Sequence, residues 1–102
     1  MLNMLVIFPK SMDADKVDEL LSTLVSSLRA RDGLLSMQVS EGGLMSPGGA
    51  PAYSKVLEVV WESLAHMMAW TETAADLENP KDAIIDKRGV VLFYEVKALP
   101  IA

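Results

Sequence analysis

The spacing of apolar and polar positions changes along this chain, and the changes mark out its elements. Leu2 to Phe8, LNMLVIF, is apolar apart from Asn3. A short run of this kind, stopped by Pro9, predicts a strand buried on both faces. Asp13 then offers a helix N-cap, with Asp15 and Asp18 in or near the favourable first turn. Val17, Leu20, Leu21, Leu24 and Leu28 recur at helical spacing. Arg29 and Arg31 suit the negative end of the helix dipole, and Gly33 is the expected stop. Leu35, Met37 and Val39 alternate with Ser36, Gln38 and Ser40, which predicts a strand with one apolar face.

Between Gly42 and Ser54, six of thirteen residues are Gly or Pro, so this segment is expected to be a loop. Lys55 to Glu62, KVLEVVWE, reads as a third strand. Ser63 is placed to cap a second helix running to about Glu78, with Leu64, Met67, Met68, Thr71, Ala74 and Ala75 as its inner face and Trp70 on the flank. Asn79 and Pro80 start a short further helix through Ile84 and Ile85, which Gly89 ends. Val90 to Lys97, VVLFYEVK, is the fourth strand.

The resulting order, β-α-β-β-α-β, is that of the α+β ferredoxin-like arrangement: one antiparallel sheet with both long helices on one face. The 102 residues fit a single domain spanning 1–102. In the fourth strand both alternating sets, Val90-Leu92-Tyr94-Val96 and Val91-Phe93, are apolar, and the first strand is nearly so. A sheet with a solvated face alternates more cleanly. The simplest cover for the second face is another copy of the same sheet about a two-fold axis, making a homodimer.

Composition narrows the chemistry. The net charge is −5 and the nine basic residues are scattered, so no nucleic-acid partner is expected. No apolar run is long enough to span a bilayer, and Met1 to Met4 lacks the basic region of a signal peptide, so no membrane role is expected. With no cysteine there can be no disulfide and no thiolate nucleophile, which is compatible with the cytoplasm. His66 is the only histidine, so no metal site is expected. No phosphate loop or Ser-His-Asp sequence pattern is present, and no cofactor is expected.

Several short motifs carry a resemblance. Phe8-Pro9-Lys10 runs into an Asp-led helix; Arg31-Asp32-Gly33-Leu34 follows that helix; Gly48-Gly49-Ala50-Pro51-Ala52-Tyr53 leads into a strand and then Trp61-Glu62-Ser63-Leu64. In these the chain resembles the dimeric α/β-barrel superfamily, above all its EthD-like branch, named for ethyl tert-butyl ether degradation. The His-x-Pro motif often found in that branch has no counterpart in Ser26 to Arg31. Trp61-Glu62-Ser63 followed by Trp70 also resembles the antibiotic biosynthesis monooxygenase family, in which the position of Trp70 is commonly a pocket His. It is Trp in the haem-degrading branch, but the His that branch needs falls at Pro80 here, and only Asn3 could stand for its strand Asn.

The resemblance implies a pocket between sheet and helices and a small-molecule enzyme. Its chemistry would be cofactor-independent, oxygenase-like or isomerase-like, on an apolar and aromatic or polyketide-like substrate. On a helical wheel His66 falls about one eighth of a turn from Trp70, one turn earlier. An imidazole beside an aromatic ring could hold a flat substrate and move a proton. His66 and Tyr53 are therefore the candidate catalytic residues, with Trp70, Met67 and Asn3 as candidate substrate-binding residues. Each has a plainer role open to it: Trp70 and Met67 as core, His66 as a solvated edge residue, and Tyr53 and Tyr94 packed with their hydroxyls bonded to nearby carbonyls. The Gly42 to Ser54 loop is either a lid or a simple connection. Glu58 shares a strand face with Val56 and Val60, and is either a base or a rim residue paired with Lys55 or Lys97. The alternative function is a non-catalytic dimeric module holding a small apolar ligand.

Overall fold

A computed structural model describes residues 1–73, 85 and 88–101. The elements follow in the order β1 (Leu2–Pro9), α1 (Ala14–Leu28), β2 (Leu34–Val39), β3 (Tyr53–Trp61), α2 (Leu64–Thr73) and β4 (Val90–Glu95). The strands form one sheet in the order β2-β3-β1-β4, every neighbouring pair antiparallel. This is the α+β ferredoxin-like topology. Among the described residues no helix is long and apolar enough to cross a membrane. The expected short helix from Asn79 lies outside the described residues except for Ile85, which is helical.

Strand pairing fixes which residues share a face. Leu2, Met4, Val6 and Phe8 of β1 stand opposite Trp61, Val59, Leu57 and Lys55 of β3. The apolar members of this set are fully buried, and they form the core with Val17, Leu20, Leu24 and Leu28 of α1. Met67 and Trp70 of α2 complete it, and the rings of Trp61 and Trp70 meet at 6.0 Å between centroids with a 34° tilt. Among the described residues the other face of the sheet carries no helix. Leu5 and Ile7 of β1, Val56 and Val60 of β3, and Val90 and Leu92 of β4 share it with Asn3, Glu58 and Tyr94. Lys55 faces the helices, so it cannot pair with Glu58 across one strand, as one sequence reading allowed.

Four local details depart from the sequence expectation. The first helix ends at Leu28 rather than near Gly33; Arg29 N–H closes it on the Val25 carbonyl, and the chain turns at Ala30 with a φ of 59°. Gly33, at a φ of +82°, instead makes the turn into β2. In β2 a bulge between Leu34 and Ser36 inserts Leu35, which is 52% exposed, and breaks its alternation with Met37 and Val39. In α2 the buried positions are Met67 and Trp70, whereas Leu64 and Met68 are 42% and 47% exposed. Trp70 is therefore at the centre of the inner face, not on its flank. Tyr53 belongs to β3, opposite Pro9, and not to the preceding loop.

Candidate functional site

The site begins at the N-terminus of α2. Ser63 is its N-cap: the hydroxyl accepts the His66 backbone N–H at 3.3 Å, while the Ser63 carbonyl accepts Met67 N–H. This places His66 at the third helical position, with its ring folded back on the cap. Ser63 Oγ and His66 Nδ1 are 2.7 Å apart. The other ring nitrogen, Nε2, stands 3.7 Å from the Asp32 carboxylate. Asp32 comes from the turn after α1, and Glu62 N–H donating to the Gly33 carbonyl at 2.7 Å ties that turn to the start of α2. Gly33 is required there, because a methyl group on its Cα would overlap the His66 ring.

A cleft of about 150 Å³ opens beside this ring, lined by Arg31, Asp32, His66, Ala69 and Trp70. That is below the ~300–1,000 Å³ usual for a small-molecule site, so it accommodates one small group rather than a whole aromatic ligand. The His66 side chain is 31% exposed, open to the cleft and anchored on its inner side. Arg31 is steadied by its Nε donating to the Ser27 carbonyl at 2.9 Å. Ser27 Oγ in turn accepts Trp70 Nε1–H at 3.3 Å and donates to the Leu24 carbonyl. The far end of α1, its following turn and α2 are thus joined around the cleft.

The arrangement suits proton transfer. With its proton on Nδ1, His66 donates to Ser63 Oγ and presents the Nε2 lone pair outward. A proton taken there makes an imidazolium. The Asp32 carboxylate 3.7 Å away is fully exposed to solvent. The Arg31 guanidinium in the same wall can face negative charge developing on an oxygen.

Of the five residues singled out in the sequence, His66 and Trp70 line this cleft, with Met67 buried beside them in the core. Tyr53 is at the other end of β3, eight residues or roughly 26 Å of strand away. Asn3 is on the helix-free face, with its Nδ2 donating to Tyr94 Oη at 3.4 Å. The structure therefore does not bring Tyr53 or Asn3 to His66. Met67, Trp70 and Trp61 pack together in the core between the second helix and the sheet, and the cleft at His66 lies between α2 and the turn that holds Arg31 and Asp32. Arg31, Asp32 and Ser63 were not foreseen as site residues. The spacing from Ser63 to His66, N-cap to third helical position, is the one sequence signal that points to part of this arrangement.

No protein-family model matches the sequence, and no curated protein matches it. Solved structures do. An EthD-family protein from Bacillus halodurans C-125 superposes with a TM-score of 0.61 at 16% identity, covering 95% of this chain and 99% of that one. SnoaB, a cofactor-independent oxygenase from Streptomyces nogalater, gives 0.63 at 9% identity over 99% and 97% of the two chains. A dimeric ferredoxin-like protein of unknown function from Jannaschia sp. CCS1 gives 0.65 at 15% identity over 93% and 98%. At these identities the likeness is one of fold, and it extends over nearly the whole of each chain: this protein has the ferredoxin-like fold that EthD-family and cofactor-independent oxygenase structures share.

Proposed function

We propose that this chain is a homodimeric small-molecule enzyme of the EthD or antibiotic biosynthesis monooxygenase kind, in which His66 moves a proton to or from an apolar substrate. The observation that carries the reading is the His66 ring itself. One nitrogen is held by Ser63, the other opens to a cleft, and a cation and a carboxylate stand in the cleft wall. Removing a proton next to a carbonyl or from a phenol gives an enolate or phenolate. Such an anion can react with oxygen directly, or be reprotonated elsewhere to give an isomer. Arg31 would steady the anionic oxygen while His66 holds the proton. The small cleft would take the reacting group, and the rest of the substrate would lie outside it, towards Ala69. In this reading Trp70 forms the floor of the cleft, and Tyr53 and Asn3 have no part at His66.

The test is turnover of enolisable aryl ketones and polyketide-like phenols, followed by oxygen uptake and by exchange of the acidic proton with solvent deuterium. Wild-type protein should catalyse one or the other, and His66→Asn should lower the rate by about 10²–10⁴-fold, the usual worth of a general base. Saturable binding with no turnover, unaffected by His66→Asn, would favour a non-catalytic ligand-binding module. The placing of Tyr53 away from the cleft speaks for that second reading, since it leaves His66 without the phenol expected to work with it.

A further inference from the structure

The end of the sheet remote from His66 carries a second cleft, of about 340 Å³, between the N-terminal turn of α1 and the end of the β1–β3 pair. Its position follows from an irregularity in the strands. Phe8 pairs with Lys55 and Pro9 with Tyr53, so Ser54 is an extra residue on β3. A bulge of this kind re-aims side chains, and here Ser54 and Lys55, adjacent in sequence, both line the cleft. Lys10 follows β1 directly and is fixed by its backbone N–H donating to the Ala52 carbonyl at 2.8 Å. Met12, Ala14 and Val17 supply an apolar wall, and Asp18 supplies a carboxylate.

Two features of this cleft call for a ligand. The Ser54 hydroxyl is buried and has no hydrogen-bond partner; buried hydroxyls are normally paired. Lys10 and Lys55 form no ion pair among the described residues, although Asp18 shares their cleft. Two ammonium groups and an unpaired hydroxyl beside an apolar wall match a ligand with one anionic end and one apolar end. Asp18 limits the charge such a ligand can carry, which favours a monoanion over a phosphate.

We propose that this cleft binds a small organic monoanion, a carboxylate on a short apolar chain. The carboxylate sits between Lys10 and Lys55, where rotation about the Ser54 Cα–Cβ bond brings the buried hydroxyl to it, and the chain lies along Met12, Ala14 and Val17. The site is separate from the His66 cleft by roughly the 20 Å length of α1, and it stands or falls independently of the proposed enzyme.

The probe is octanoate, titrated into the isotope-labelled full-length chain while its amide resonances are followed by NMR, with octanol as the uncharged control. Octanoate should shift residues 10–18 and 52–55 saturably, and octanol should bind at least about tenfold more weakly, the value of a charge-assisted contact. Lys10→Gln and Lys55→Gln should each weaken octanoate by roughly tenfold, and Asp18→Asn should tighten it. Lys10 is exposed, so its variant tests the site even if Lys55→Gln does not fold. Equal binding of octanol and octanoate, shifts centred elsewhere, or no response to Lys10→Gln would overturn the proposal.

Discussion

Gly33 and His66 show how one residue without a side chain can position another with one. Gly33 has a φ of +82° and lies under the imidazole, where a Cβ has no room. Gly42 has a similar φ of +73° but open space around it. Alanine at either position pays the left-handed backbone cost of ~1–2 kcal/mol. Only at position 33 must it also displace the His66 ring. In urea denaturation Gly33→Ala should therefore cost about 1 kcal/mol or more beyond Gly42→Ala, on the scale of overpacking. In a His66→Ala background that excess should shrink without vanishing, because the Cβ of residue 66 itself lies 2.6 Å from the added methyl position; if it is unchanged, the ring is not its cause. Ser63→Ala removes the helix cap and the partner of His66 Nδ1, and should cost about 0.5–2 kcal/mol. At this scale the sequence was partly legible. Ser63 and His66 sit three apart on one helix turn, so their meeting follows from helix geometry. Arg31 and Asp32 reach His66 only through the packing of α1 and α2, and no local spacing announces that.

Elements were legible in proportion to how one-sided they are. In α1 the buried residues Val17, Leu20, Leu24 and Leu28 form a single stripe with charged residues opposite, so its orientation could be read directly. In α2 apolar residues run round most of the circumference, from Leu64 through Met67, Met68 and Ala69 to Trp70. Several rotations then satisfy the pattern, and the largest side chain, Trp70, takes the core. Adjacent methionines separate the alternatives. By chemical denaturation Met67→Ala should cost about 2–5 kcal/mol as a core truncation, and Met68→Ala should stay within about 0.5 kcal/mol as a surface change. A cost of about 2–5 kcal/mol for Met68→Ala as well would restore the rotation expected from the sequence, which buries both methionines. The bulge at Leu35 was not legible, because Leu35, Met37 and Val39 alternate in sequence as if they shared one face, and at Ser54 no residue pattern marks the extra position.

For the whole molecule, the order of elements and the antiparallel sheet followed from the sequence, because each run of apolar residues had a clear period and a clear stop. The same pattern makes an assertion that one chain cannot satisfy. The helix-free face holds Leu5, Ile7, Val56, Val60, Val90 and Leu92, an apolar band across three strands. Leu92 is 48% exposed in the single chain. A second copy laid face to face would cover this band, and the dimeric ferredoxin-like neighbour from Jannaschia shows that the fold supports dimers. We propose that this sheet face is an interface between two copies of the chain. Sedimentation equilibrium at micromolar concentration tests it most directly, on the wild type and on Leu92→Arg, which would bury an unpaired charge there. The wild type is expected as a species of twice the 11.1 kDa chain mass, and Leu92→Arg as a folded monomer. A wild-type species of 11.1 kDa alone, or a Leu92→Arg variant that still dimerises as tightly, would contradict the proposed interface.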